Sequence, residues 1–544
     1  MSVARTIARN TAFNGLGRAW EAVVGLVLVA YIVSRVGASG YGLWAVVGAF
    51  TGYAALFDLG IGSAYAKYIA EHAARDERDR ISGIVSTGVF FYVVFGGIFI
   101  ALMWPVVDVI FALVQGMGDG AAGEPGDASG NPLDVPVLNE LHYLIRWGLV
   151  LFVASNILAP FSAVQTGLQR MGITNAIGAG VSIVKIVATI AFLELGFGVR
   201  GLLYVNAMVL AAFGVASVVT AFRICPGLRV SLSQVSWTTF RTLFTFGWRT
   251  QVSRLSNLIM FETDVLVIAI VLRDLELTGF YRIGVELANK MRQVPTILLS
   301  ALVPASSELA AKEDGERLRR LYLTSSKYVA AVSVPMAFFT VGAAGPLMQA
   351  WQGSAMDLTV SAMVLRILAL GYLANIMAGP GVNVALGTGR PGLPMKAGLI
   401  ATVSNITLTL GLVFSVGFWG IPIATGISMW ISGAWFAGAF GRVIAVGLGE
   451  VIRRAVVWPV VAGLPGLAFG FLAAWGAGDI PGRWASLGML VGATLATLIT
   501  FFLIIRHTRF LDERDLDFFD GTLGLGRIPG YARWVRPMRE GYRV

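Results

Sequence analysis

The sequence predicts an all-α membrane protein of about fourteen transmembrane helices, and three observations predict it. Of the 544 residues, 56% are hydrophobic and only 13% charged, against about 25% charged in soluble domains. Apolar runs of bilayer-crossing length, roughly 20 residues, follow one another along the chain. Lys and Arg collect in alternate loops between the runs, the asymmetry that orients a membrane protein. The formal charge of +10 is therefore read as a topology and lipid-headgroup signal rather than a nucleic-acid footprint.

In chain order the runs are Thr11–Val36, Tyr41–Tyr65, Ile81–Leu113, Leu141–Val164, Thr174–Leu195, Gly201–Phe222 and Leu243–Leu272. They continue with Gly279–Pro304, Leu321–Ala344, Leu358–Ala385, Pro394–Val416, Ile421–Val443, Ile452–Trp475 and Trp484–Ile505. The start, MSVARTIARN, leads into a long run with internal charges, so it reads as a retained first helix rather than a cleaved leader. A Gly-Ala-Ser-Gly turn (Gly37–Gly40) joins the first run to the second. After the second come Lys67, Arg75, Arg78 and Arg80; after the eighth come Lys312, Arg317, Arg319 and Arg320. The intervening loop Gln115–Glu140 has Asp119, Glu124, Asp127, Asp134 and Glu140 but no Lys or Arg. By the positive-inside rule both termini are cytoplasmic. A single cysteine, Cys225, excludes an intramolecular disulfide and fits a small apolar filler.

The chain also repeats itself at a period of about 220–240 residues. Ala73–Glu77 after the second run parallels Ala310–Asp314 after the eighth. Asn156–Ala159 in the fourth parallels Asn375–Ala378 in the tenth, each followed shortly after by a Gly and, three residues on, an Arg (Gly167 and Arg170; Gly387 and Arg390). Six spans per copy is even, so both copies run the same way and form two lobes about an axis along the membrane normal. The expected organisation is an N-lobe over 1–225, a C-lobe over 226–447, two extra helices over 448–509 and a basic cytoplasmic tail over 510–544. The acidic stretch Asp512–Asp520 within that tail reads as a solvated face.

Polar residues inside the runs carry the functional argument, because a charge in a spanning helix costs about 2.5–3.5 kcal/mol at its centre. Asn10, Asn14, Arg18 and Glu21 form one stripe on the first helix. Asp58 sits in the second. The seventh holds Arg249, Arg254, Asn257, Glu262 and Asp264, and the eighth holds Arg282, Glu286 and Lys290 at ion-pair spacing. Arg146, Lys185 and Arg366 add buried charge in the fourth, fifth and tenth. Cations outnumber acids among these positions, which suits an anionic ligand such as a phosphate or diphosphate. The competing reading is that these residues are interhelical glue, with the acids serving as partners of buried guanidinium groups.

Other chemistries find little support. Gly196–Gly201 and Gly387–Gly392 mimic nucleotide-binding glycine patterns, but both fall at turns with no βαβ unit. No Walker A lysine motif occurs, and His72, His142 and His507 lack metal-ligand spacing. No cofactor is expected, and nothing marks the chain as an enzyme.

The opening NTAFNGLGRAWEAVVGLVLVAYIVSRVGASGYGLWAVVGAFTGYAALFDLGIGSAYAKYIAE resembles bacterial polysaccharide-biosynthesis flippases of the O-antigen translocase type. These belong to the multidrug/oligosaccharidyl-lipid/polysaccharide exporter superfamily. Asn14, Arg18, the Ser34–Gly37…Tyr41–Gly42 turn and Phe57–Gly60 carry the likeness, and Gly387–Arg390 is also similar. The resemblance implies movement of undecaprenyl-diphosphate-linked oligosaccharide from the cytoplasmic to the periplasmic leaflet of the bacterial inner membrane. It implies alternating access between two lobes around a cationic cavity, driven by a proton or sodium gradient or by membrane potential. Arg18, Arg249, Arg254 and Arg366 would hold the diphosphate or anionic sugars, with Arg146, Lys185, Asn14 and Asn257 supporting them. Glu21, Asp58, Asp264 and Glu286 would serve as charge partners or as the coupling site. The protein would act as a monomer among membrane lipids, beside polymerase and chain-length proteins. A multidrug cation antiporter and a lipid II flippase share the architecture; a membrane glycosyltransferase would need a paired-carboxylate loop that is not evident here.

Overall fold

In lipid, backbone N–H and C=O groups must be satisfied within the chain, which for a run-by-run apolar sequence means helices. The computed structural model describes residues 3–54, 58, 60–119, 135–299, 301–353, 356–479, 482–508, 510–513 and 515–517. Within these, the side chains of 3–16, 18, 19, 248–250, 252–254 and 257, among others, lie outside the described set. The described residues are helical, without strands. Among the described residues, ten helices are long and apolar enough to cross a membrane, so the chain is a multi-pass membrane protein.

Two compact units divide the chain, Met1–Arg282 and Ile283–Val544. The first opens with α1 (Val3–Ala54), whose two halves meet at Gly37, the one residue off helical geometry (φ 73°, ψ 179°). The expected four-residue turn between the first two runs is therefore a one-residue kink, a conformation open to glycine because it has no Cβ. There follow α2 (Ile61–Ala74), α3 (Arg78–Asp119), α4 (Val135–Gly167), α5 (Met171–Glu194), α6 (Gly198–Ile224), α7 (Trp237–Val267) and the start of α8 (Leu275–Thr296). Ile61, Tyr65 and Ile69 of α2 anchor a core shared with Val85 of α3, Phe161 and Val164 of α4, Ala221 of α6 and Leu243 of α7. Cys225 is buried in that core, as a small apolar filler should be. Some polar residues here are indeed glue: Gln165 of α4 donates to Thr220 of α6 at 2.8 Å.

The second unit continues α8 and adds α9 (Leu302–Ala311), α10 (Gly315–Gln352), α11 (Thr359–Gly387), α12 (Gly392–Val416) and α13 (Gly420–Val443). It ends with α14 (Leu448–Val451), a π-helical turn (Ile452–Val456), α15 (Val457–Asp479) and α16 (Arg483–His507). At 1.5 Å per residue, the 38 residues of α10 reach about 57 Å, well beyond a bilayer core of about 30 Å. It packs against α11, α15 and α16, and Tyr322 near its start joins Val384, Phe436 and Phe440 in one core.

The acidic stretch after α16 departs from the solvated face expected for it. Asp515 is 4% exposed and Leu516 fully buried, while Asp512 is exposed; residues 518–520 lie outside the described residues. The cause is Lys327, a buried cation on α10. Its ammonium pairs with the Asp515 carboxylate, which also accepts from the Tyr328 hydroxyl at 2.6 Å and from the Asp512 N–H at 2.9 Å. Removing one member of a buried ion pair costs about 3–5 kcal/mol because the other stays desolvated. Asp515→Ala is expected to lower the unfolding temperature of the detergent-purified protein, whereas Asp512→Ala, at an exposed position, should move it far less.

Candidate functional site

α7 and α8 are continuous helices of 31 and 22 residues, and both carry charged residues along their length. Several of their described polar side chains turn inward. In the first unit α7 packs on α1, α2 and α3, with Gln251 6% and Asp264 1% exposed. Tyr281 of α8 donates to the Asp264 carboxylate. Arg282 of α8 pairs with Glu262 of α7 at 3.1 Å, each side chain 23% exposed. Tyr53 of α1 and Thr263 of α7 share a hydrogen bond. An acid–arginine–tyrosine lining thus runs along α7 within an apolar bundle. Arg282, expected to pair along its own helix with Glu286, reaches across to α7.

A helix break adjoins this lining. The second apolar run is not one helix: α2 starts afresh at Ile61 after Gly60, and Asp58 lies two residues before that glycine. Gly60, in left-handed conformation (φ 71°), begins α2. Asp58 thereby lies just before the start of α2, and it is 8% exposed. The Tyr92 hydroxyl of α3 donates to its carboxylate, and the Asp58 carbonyl oxygen lies 3.0 Å from the same hydroxyl. α7 passes so close at Gly247 that a Cβ there would sit 2.6 Å from the Gly60 backbone. Interrupted helices whose freed backbone groups are held by protein are a recurrent way to build a substrate or ion site inside a membrane. Tyr92→Phe removes the hydroxyl from a charged partner, so a loss of about 2 kcal/mol in unfolding free energy is expected. Phe at this position should also raise transport sensitivity to temperature, measurable as a lowered inactivation midpoint.

The remaining expected residues are distributed unevenly. Asn14, Arg18, Arg249, Arg254 and Asn257 lie on α1 and α7, but their side chains are outside the described residues. Glu21 is exposed on α1, and Glu286 is half-buried on α8 in the second unit. Arg146 is committed elsewhere: it pairs with Asp108 of α3, which His142 also contacts at 2.6 Å, and its guanidinium lies 4.7 Å from the Trp104 ring centre. Lys185 is exposed on α5 rather than buried. Its neighbours Ile183 and Val187 are 56% and 61% exposed, so the lysine shares an outward apolar face. Arg366 points into the second unit's own packing, donating to the Val341 carbonyl at 3.1 Å and lying 5.9 Å from the Phe471 ring centre. It lines a cleft of about 280 Å³ with Asp357, whose carboxyl is held below its usual range by hydrogen bonds from the Thr359 hydroxyl and N–H. The Arg35 of the opening turn pairs with Glu194 of α5, and Tyr31 donates to the same acid at 2.6 Å.

Sequence reasoning did not single out Asp108 or Tyr92, and it named Glu262 without its partner. Asp108 was within reach, since an acid inside an apolar run is by default a partner or a site; Tyr92 carried no signal of its own.

A family model described as "Polysaccharide biosynthesis protein" matches residues 7–310, and one described as "Lipid II flippase MurJ" matches residues 294–462. A putative O-antigen transporter of Shigella flexneri is 22% identical over 380 residues, covering 69% of this chain and 83% of that one. A probable low-salt glycan biosynthesis flippase, Agl15, of Haloferax volcanii is 23% identical over 292 residues, 52% of this chain and 59% of that one. Among solved structures, the lipid II flippase MurJ in an inward closed conformation matches 90% of this chain and 98% of its own, with a TM-score of 0.63 at 14% identity. At that identity the likeness is one of fold.

Proposed function

The chain belongs to the polysaccharide biosynthesis protein family, and from that premise we propose that it is a flippase for polyprenyl-diphosphate-linked oligosaccharide. The glycolipid passes from the cytoplasmic to the periplasmic leaflet of a bacterial inner membrane by alternating access. One observation carries the reading furthest: α7 and α8, two long helices rich in charged residues, bury Asp264 and Gln251 and hold the half-buried Glu262–Arg282 pair. A membrane protein keeps such groups inside where a polar or charged substrate must be escorted. The names of the relatives, an O-antigen transporter and a glycan biosynthesis flippase, support the same substrate class.

The topology that goes with this function has about fourteen crossings. Two of the ten apolar spans are double, Trp20–Ala54 with its kink at Gly37 and Gly392–Val443 with its break at Gly417–Trp419, and α7 and α8 supply two more. Both termini are cytoplasmic. Arg18, Arg249 and Arg254, with Asn14 and Asn257, are the proposed diphosphate and glycan ligands. Arg146 and Arg366 take supporting roles from their packed positions. Asp58 and Asp264 are the proposed charge partners or coupling positions for a proton or sodium ion.

The lipid II flippase reading is the second, favoured by the MurJ model over 294–462. Depletion in the native host separates the two. The proposal expects lipid-linked oligosaccharide to accumulate in the cytoplasmic leaflet with loss of surface polysaccharide and an intact cell wall. Lysis with surface polysaccharide unchanged would replace it with the lipid II reading.

A further inference from the structure

A cleft lies in the second unit, at the end of the bundle where α10 and α15 begin and α16 finishes. It encloses about 830 Å³, a volume typical of small-molecule sites. Arg319, Arg320, Lys327, Arg453 and Arg454 line it, against Glu316, Glu450, Asp512 and Asp515. Three of these acids are closely paired, and the exposed Asp512 lies 3.9 Å from the Lys327 ammonium. Glu316 pairs with Arg320 at 2.9 Å, and the single carboxylate of Glu450 serves both Arg319 at 2.5 Å and Arg454 at 3.3 Å. Asp515 neutralises Lys327 at the floor. Arg453, exposed at the mouth, has no ion pair among the described residues.

Two further features point to a ligand. Arg453 and Arg454 sit in the π-helical turn Ile452–Val456, a rare backbone form found mostly at functional positions because its extra residue re-aims the side chains. Beside them Trp458 lines the cleft at 38% exposure. Val457, Val461 and Leu464 continue an exposed apolar stripe along α15. A cationic recess capped by an interfacial tryptophan and continued by an apolar stripe fits a phosphate that carries acyl chains. A basic pocket among spanning helices on the cytoplasmic side is the usual form of such a site.

We propose that this cleft binds the phosphate head group of an anionic membrane phospholipid, a site separate from the flipped substrate and independent of the function proposed above. Arg453 and Arg454 take the phosphate oxygens, and Arg320 closes the rim. The alternative source of the same chemistry is free phosphate.

The test titrates the full-length protein in detergent with phosphatidylglycerol, with phosphatidylcholine of the same acyl chains, and with inorganic phosphate. Lipid retention by native mass spectrometry and the unfolding temperature are read together. Phosphatidylglycerol should be retained in preference to phosphatidylcholine, and inorganic phosphate should leave the unfolding temperature unchanged. Arg453→Gln should weaken phosphatidylglycerol retention about fivefold. Arg442→Gln, an exposed arginine at the end of α13 outside the cleft, should leave it unchanged. Equal retention of the two lipids, or equal loss in both variants, would overturn the site. Stabilisation by inorganic phosphate as strong as by phosphatidylglycerol would overturn the lipid assignment.

Discussion

Gly42→Ala should leave little folded protein. α1 and α8 cross where Gly42 faces Gly279, and the two backbones touch. A Cβ on Gly42 would overlap the Leu275 carbonyl oxygen, and one on Gly279 would overlap the Ala38 carbonyl oxygen. The obstruction is backbone on both sides, so no rotamer change relieves it. Overpacking normally costs about 1–3 kcal/mol when side chains can yield; with backbone as the obstacle the expectation is the upper end or beyond. Gly48→Ala on the same helix is the matched control, since its Cβ would meet nothing within 4 Å. There alanine should be neutral or stabilising, by up to about 1 kcal/mol from its better helix propensity. Monodisperse yield after size exclusion and the detergent unfolding temperature report both. Equal behaviour of the two variants would show that the crossing is not as close as described.

Glu262→Ala should cost about 3 kcal/mol and abolish transport. It takes from Arg282 the carboxylate that lies 3.1 Å away, and a partly desolvated charge whose partner is deleted is among the more expensive lesions a fold can carry. Stability and function can be separated with the double variant Glu262→Leu/Arg282→Met, because replacing both charges by apolar groups of similar shape is often neutral or better. The double variant should regain the unfolding temperature while glycolipid movement stays absent. Recovery of both would reduce the pair to scaffold, and the polar lining of α7 would lose its place in the transport path.

The fold was largely legible because its cause is repetitive. Apolar runs of bilayer length and alternating loop charge each recur many times, so local errors do not propagate. Where the reading slipped, a single residue had overridden the run. Gly37 replaces a turn by a kink, and left-handed Gly60 breaks the second run before α2. Charges inside the runs were legible as present but not as paired. Nothing in the one-dimensional pattern says that Arg146 meets Asp108 or that Arg282 reaches Glu262 rather than a neighbour on its own helix, because these contacts join different helices. Lys327 was the clearest overlooked signal. A lysine inside the apolar run Leu321–Ala344 called for a buried acid, and its partner Asp515 lay in a stretch whose composition alone suggested solvent.

The central claim is that this chain moves a lipid-linked glycan. Proteoliposomes test it most directly when they carry a labelled polyprenyl-diphosphate oligosaccharide and, in parallel, a cationic dye. Glycolipid should become accessible in the opposite leaflet without dye efflux, and Arg18→Ala should abolish the movement while leaving membrane insertion intact. Dye efflux without glycolipid movement would contradict the account and make the chain a drug exporter.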